Sequence, residues 1–280
     1  MGRFTDKVAI ITGSSNGIGR STAIILAKDG AKVTITGRNA ERLEETKQQI
    51  ISAGVSADNI NSVVADITTS AGQDQIINST IQKFGKIDIL VNNAGAAITD
   101  PSGSSGLAQN ISVYDKTFEL NVRSVIELTQ KAKPHLIASK GEIVNVSSIA
   151  ASPQSHPDFN YYSMSKAALD QFTRNIAIEL VKSGIRVNCV NPGLVITGFA
   201  QAMGAPVEVS SKLYSYMGSH PDCVPIGRVG QPEDIANIIA FLADRSASFY
   251  IIGQTITADG GSTLVMAMNT HNLTDLLQNK

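Results

Sequence analysis

Tyr162 and Lys166 stand four residues apart in Tyr162-Ser-Met-Ser-Lys166, a spacing suited to proton transfer. If the run 165–181 is helical, residues four apart share a face and the ammonium stands beside the phenol. A neighbouring positive charge favours the phenolate. The ordinary tyrosine pKa of about 10 should then fall toward neutrality, giving a group that donates and accepts protons at cellular pH. A solvated helix face would carry the same pair, so a second motif has to separate the two readings.

That motif is Gly13-Ser-Ser-Asn-Gly17-Ile-Gly19, which follows a β-branched run and opens an apolar helical pattern. Here a dinucleotide's pyrophosphate would meet a tight turn at Gly13, a close backbone approach at Gly17 and close helix–strand packing at Gly19. The helix N-terminus adds free N–H groups and the positive end of its dipole. After the second strand an acidic residue would favour NAD, but the chain has Gly37-Arg38-Asn39. A guanidinium suits a 2′-phosphate through bidentate bonds, so Arg38 points to NADP(H) over NAD(H).

The elements that must position these residues alternate. Strands are expected at 7–12, 31–36, 61–65, 87–91, 141–147, 185–190 and 251–258. Helices are expected at 20–29, 40–53, 70–84, 113–138 (with Pro134 ending or kinking it), 162–182 and 232–243, plus a short piece near 207–217. The β-α-β order predicts a single-domain α/β fold over 1–280: a Rossmann-type, doubly wound, parallel seven-stranded sheet. An apolar region at 198–224 carrying Phe199, Met203, Leu213, Tyr214, Tyr216 and Met217 is expected to be the substrate lid. A short amphipathic tail at about 264–280 carries Leu273, Leu276 and Leu277 at helical spacing.

Composition narrows the function classes. The 280 residues are 42% hydrophobic with a net charge of −1, which offers nothing to nucleic acid or an anionic membrane. No run reaches the ~18 apolar residues of a membrane span, and no apolar leader segment precedes the first strand. The cytoplasm is therefore the expected location. Cys189 and Cys223 match no metal-ligand spacing, the four histidines are scattered, and no metal site is expected. Cys189, in an apolar run, is expected in the core.

Taken together, the chain resembles a short-chain dehydrogenase/reductase from Lys7 to about Thr263. The resemblance rests on Thr12-Gly-Ser-Ser-Asn-Gly-Ile-Gly19, Asp66, Asn92-Asn-Ala-Gly95, Asn121, the pair Ser147/Ser148, Tyr162-x-x-x-Lys166 and Pro192-Gly-Leu-Val-Ile-Thr197. In detail it is similar to tropinone-reductase-like members and, around 145–168, to uncharacterised nematode members. The resemblance implies that Tyr162 exchanges the proton at a substrate oxygen, that Lys166 tunes Tyr162 and holds the nicotinamide ribose, and that a serine hydrogen-bonds the same oxygen. It also implies that Asn121 holds, through its backbone, a water relaying protons from Lys166. Asp66 would accept from the adenine amino group, Asn93 would line the ribose side, and Val195 and Thr197 would meet the nicotinamide amide and phosphate. Ser15, Asn16, Ile18, Ile67, Ala94, Gly95, Pro192 and Gly193 complete the implied cofactor contacts.

Two departures stand out. Ser148 lies one residue farther from Tyr162 than the family spacing, which implies a one-residue insertion within 154–160. Ser148 is chosen as the catalytic serine, with Ser147 as runner-up, and Tyr161 is excluded because position 165 is serine. The loop 96–112 is longer than usual and lies near the mouth of the cleft. It could shape substrate choice or a subunit contact, or be a tolerated surface insertion. The expected reaction is hydride transfer between NADP(H) and a small-molecule ketone or aldehyde, or the reverse from a secondary alcohol. The alternative is an NADP(H)-binding sensor or scaffold with no or residual turnover. Family members assemble as homotetramers or homodimers, and 255–268, with Leu264, Val265, Met266 and Met268, could supply an apolar interface.

Overall fold

β-branched and leucine side chains crowd the strands, and burial explains why. In the computed structural model, which describes residues 2–265 apart from positions 155 and 205, strands β1 (Val8–Thr12), β4 (Ile89–Asn92), β5 (Glu142–Val146) and β6 (Arg186–Pro192) are buried at every residue. With β2 (Lys32–Gly37), β3 (Ile60–Val64) and β7 (Thr255–Ala258) they form a wholly parallel sheet in the order β3-β2-β1-β4-β5-β6-β7. A parallel sheet covered on both faces has no solvated side, which is why β1 and β4 read as apolar runs and why the polar residues of β5 and β6, Glu142, Asn145, Arg186, Asn188 and Asn191, are buried.

The covering helices sort by the two-residue period of the strands. Ala9 and Ile11 of β1, Ile89 and Val91 of β4, and Val144 and Val146 of β5 pack on one face. They meet α1 (Gly17–Lys28), α2 (Ala40–Ser52) and the later helix Pro232–Ala243 through Leu26, Leu43, Ile50, Ile235 and Ile239. Ile10, Leu90 and Ile143 point to the other face. There they meet α3 (Ser70–Phe84), α5 (Ser124–Ser139) and α6 (Asn160–Leu180) through Ile76, Leu128, Leu136, Ile176 and Leu180. Strand order reverses between β1 and β4, opening a crevice at the carboxyl ends of the strands.

The long helix expected at 113–138 is three pieces. Helix α4 (Ile111–Phe118) passes through a π turn, Glu119–Arg123, into α5. Pro134 neither ends nor begins α5. It sits on the exposed side, where the carbonyl it leaves without an N–H partner can be solvated. The expected strand 251–258 is only the four residues of β7. The region after β6 holds α7 (Phe199–Ala202) and α8 (Val207–Ser219); α9 is the Pro232–Ala243 helix and α10 is Arg245–Ser248. Among the described residues no helix is long and apolar enough to cross a membrane. Leu264 is exposed. Met266, Met268, Leu273, Leu276 and Leu277 lie outside the described residues.

One buried hydroxyl ties the crevice together. Thr12 Oγ1 accepts from the Asn93 and Ala94 amides (3.0 Å each) and donates to the Val91 carbonyl (3.3 Å). The turn after β4 is thus fastened to the end of β1. Thr12→Val keeps the shape but strips the Ala94 amide of its partner and leaves Asn93 with the Val91 carbonyl alone, and it should cost about 2 kcal/mol. The check is urea unfolding of the cofactor-free protein: the midpoint should fall at unchanged slope.

Candidate active site

The glycine loop lies where β1 hands over to α1. Gly13 has φ +65°, and a Cβ there would lie 2.9 Å from the Ala94 Cα, so the close approach of the two turns requires glycine. Gly19 lies against the Gly13 carbonyl and the Asn93 side chain, and Gly17 faces Thr197. Asn16, the N-cap of α1, makes no side-chain capping bond, and the first turn holds no acidic residue. Among the described residues the amides of Gly17, Ile18 and Gly19 have no protein acceptor, a donor set that fits a pyrophosphate.

Around this end stand three arginines. Arg20 is committed: it bonds Thr46 Oγ1 (2.9 Å), Glu45 Oε2 (2.9 Å) and the Ser15 carbonyl (2.5 Å). Arg38 and Arg42 line the crevice and make no ion pair among the described residues. Asp66 has its Oδ1 occupied by the Thr68 amide (3.0 Å) and hydroxyl (2.8 Å). The Thr68 bonds and then the charge of Arg38 hold its carboxyl below the usual range against some desolvation, so it stays an anion with Oδ2 uncommitted.

The other end holds the proton-transfer candidates. The crevice, about 1100 Å³, is lined there by Ser148, Tyr162, Ser163, Lys166, Val195 and Thr197. Ser147 and Lys166 clasp each other's strand or helix: Ser147 Oγ donates to the Lys166 carbonyl (3.1 Å), and Lys166 Nζ donates to the Val146 carbonyl (3.0 Å). Ser147 is thus committed to α6, and Ser148 is the neighbouring serine whose hydroxyl lowers the Tyr162 phenol. The Ser148 Oγ also accepts from the Ala150 amide (3.1 Å). Tyr161 turns away and meets Tyr114 edge-on, with ring centroids 5.6 Å apart.

Asn121 is fully buried and does not line the crevice. Its Oδ1 accepts from the Ala96 amide (3.0 Å), and its Nδ2 donates to the Ala96 carbonyl (2.9 Å) and to Ser165 Oγ (3.0 Å). Ser165 in turn donates to the Tyr162 carbonyl (2.7 Å). The side chain therefore links the turn after β4 to α6. Of the remaining cofactor candidates, Ser15, Asn16, Ile18, Ile67, Asn93, Ala94, Gly95, Pro192 and Gly193 all line the crevice.

The electrostatics correct one expectation. Lys166 Nζ lies 5.7 Å from the Tyr162 ring centroid, with its hydrogen bond spent on β5. Removal from water pushes the Tyr162 phenol up to about 12, and only the Ser148 bond opposes it. The same removal lowers Lys166 to about 8, against the pull of Cys189 and Asp170. The expected fall of the Tyr162 pKa is not found, because desolvation outweighs an ammonium that bonds elsewhere. Cys189 is buried beside Asp170, as expected for a core thiol.

Only part of the expected lid lines the crevice. Phe199, Tyr214 and Met217 do; Leu213 and Tyr216 are exposed. Sequence reasoning missed His156 and Phe159, which line the mouth. No motif marks them, because they sit in a turn whose path depends on its neighbours. It also missed Asp170, whose Oδ2 accepts from Asn191 Nδ2 (2.8 Å), although its place one turn after Lys166 was visible.

A family model described as Enoyl-(Acyl carrier protein) reductase matches residues 13–263. The chain is 64% identical to a short-chain dehydrogenase/reductase of unknown function from Caenorhabditis elegans, solved with cofactor, with a TM-score of 0.95 over 96% of this chain and 100% of that one. The chain belongs to the short-chain dehydrogenases/reductases. Another solved structure to which it is similar is the apo form of a glucose dehydrogenase from Caenorhabditis elegans: 59% identity, TM-score 0.82, 94% of this chain and 100% of that one. It is also 34% identical to human Dehydrogenase/reductase SDR family member 4 over 260 residues, 92% of this chain and 88% of the relative. Short-chain dehydrogenases/reductases are oxidoreductases that use a nicotinamide cofactor on small molecules.

The two shifted groups fix the sign of a pH effect. Lys166 binds its proton more weakly folded than unfolded, so stability rises as pH climbs from about 8 toward 10.5. Tyr162 binds its proton more tightly when folded, and stability falls from 10.0 toward about 12. Within the first window, from about pH 8 to pH 10, the cofactor-free protein should gain up to about 1.4 kcal/mol per pH unit over Lys166→Met. Urea midpoints of both proteins across that range check it.

Proposed function

We propose that this chain is an NADP(H)-dependent oxidoreductase that reduces a ketone or aldehyde, or oxidises the corresponding secondary alcohol, with Tyr162 as general acid and base. The observation that carries the reading is one crevice with Ser148, Tyr162 and Lys166 at one end and uncapped α1 amides with uncommitted Arg38 and Arg42 at the other. Arg38, aided by Arg42, would hold a 2′-phosphate, and Asp66 Oδ2 would accept from the adenine amino group. The amides at Gly17 would hold the pyrophosphate, with Asn93 on the ribose side and Val195 and Thr197 at the nicotinamide amide and phosphate. When bound, the reduced nicotinamide supplies the hydride.

The residues then manage the oxygen. The hydroxyls of Tyr162 and Ser148 donate to the carbonyl oxygen, and both bonds strengthen as negative charge develops there. A phenol pushed up to about 12 is protonated at neutral pH, so Tyr162 holds the proton that a developing alkoxide would take. Lys166 would hold the nicotinamide ribose, and Asn121, fastened to Ala96 and Ser165, would offer its backbone to a relay water.

The substrate half of the crevice supports a neutral, largely apolar carbonyl compound. Phe159, Leu194, Phe199, Tyr214 and Met217 line it, and among the described residues no carboxylate does so near them. The polar side chains on that side include Gln154, His156, Gln201, Ser262 and Thr263, and none of them is charged in the way a carboxylate is. The exposed Ile178 and Met164 on α6, and Phe249 and Tyr250 ahead of β7, support a homotetramer or homodimer. The cytoplasm is the proposed location.

Tyr162→Phe should cut NADPH consumption at least about a hundredfold while leaving NADPH affinity within about twofold. Absorbance at 340 nm and direct titration check the two halves, and equal loss of both would count against the acid–base role. Arg38→Asp should reverse the preference between NADPH and NADH, read as the ratio of their kcat/KM values. An unchanged ratio would remove Arg38 from the cofactor site.

A further inference from the structure

The two stretches where the sequence runs longer than its family pattern lie against one another. The turn Gly106–Ala108 packs on the turn Pro157–Phe159. Gly106 has φ +59°, and a Cβ on it would come within 3.0 Å of the Pro157 carbonyl, so the contact is a close backbone approach. With its amide oriented to satisfy its neighbours, Asn160 donates to the Pro157 carbonyl (3.1 Å) and accepts from the Leu107 amide (3.3 Å).

The loop is cinched by one side chain. Asp100 is 8% exposed, and its Oδ2 accepts from the Asn110 amide (2.6 Å). Its Oδ1 accepts from the Ser102 amide (2.9 Å) and hydroxyl (2.7 Å). The span from 100 to 110 is therefore closed at its base, and its tip is held against 157–160. On the inner side of that second segment, Phe159 and His156 line the crevice. The Phe159 ring centroid is 4.9 Å from that of His156 and 6.2 Å from that of Tyr162.

We propose that 100–110 and 156–160 form one wall of the substrate site, that Asp100 fastens it, and that its inward face at Phe159 selects ring-bearing ketones over small aliphatic ones. The proposal rests on the carbonyl-reductase reading above. Asp100 itself touches neither substrate nor cofactor and is a positioning residue. Phe159 is the contact: its ring, edge-on to Tyr162, provides a face for an aromatic or alicyclic ring attached to the carbonyl, which a short aliphatic ketone does not reach.

Two ketones, 1-tetralone and 2-butanone, read the wall with NADPH as cofactor. In Asp100→Ala the KM for 1-tetralone should rise about tenfold, while its kcat and both constants for 2-butanone stay within about twofold. Phe159→Ala should reproduce the change, and the double variant should add nothing further, because both act through one contact. An equal rise for the two ketones, or additive effects, would overturn the proposal. Amide hydrogen exchange gives a readout independent of turnover. Asp100→Ala should speed exchange at the Phe159 amide, which donates to the His156 carbonyl (3.1 Å), and leave the strands unchanged. Unchanged exchange at 157–160 overturns the fastening. Failure of the wild-type protein to consume either ketone with either nicotinamide overturns the reaction class instead.

Discussion

A reciprocal pair of hydrogen bonds between the end of β5 and the first turns of α6 governs the geometry of the site. The Lys166 ammonium reaches down to the Val146 carbonyl, and the Ser147 hydroxyl reaches up to the Lys166 carbonyl. Neither residue can shift without stranding a buried polar group, and a stranded ammonium is the costlier loss. Ser148 follows directly from one half of this clasp and Tyr162 lies one helical turn from the other. Their mutual placement is therefore set before any ligand arrives.

The clasp works because the sheet delivers its strand ends to one edge. In a wholly parallel sheet every carboxyl end faces the same way, and the reversal of order between β1 and β4 leaves a gap there that helices do not cover. Three polar devices lock the chain around this gap. Thr12 fastens the turn after β4, Asn121 ties that turn to α6, and Asp170 holds Asn191 at the end of β6. The apolar clusters above and below the sheet supply the stability; these few bonds supply the register of one turn against another.

Much of this was legible in the sequence. The apolar runs, the glycine loop and the spacing of Tyr162 and Lys166 report local periodicity, which a sequence displays directly. The sequence puts Ser148 ahead of Ser147 by its local match, a strand followed by Ser-Ser and small apolar residues, and the structure commits Ser147 to the Lys166 carbonyl. What escaped the sequence depended on long-range packing or on solvation. The π turn at Glu119–Arg123 has no sequence signature. Pro134 was expected to end or kink the helix, but α5 runs through it with the proline on the solvated side. The Tyr162 phenol was expected to fall, because spacing alone says that an ammonium is near and not that its hydrogen bond is spent on Val146. Phe159 went unnoticed because its route to the crevice is set by a loop some fifty positions earlier.

The π turn carries a consequence of its own. A helix turns about 100° per residue, so one extra residue in a turn rotates everything upstream by that angle relative to everything downstream. Helices α4 and α5 are thus two rods on a common axis set out of phase. The phase offset lets α5 bury its apolar stripe against α3 and the sheet while Asn121, at the joint, points its amide at Ala96. The joint acts as a gear with one tooth added, and the tooth is placed at the residue that connects the scaffold to the chemistry.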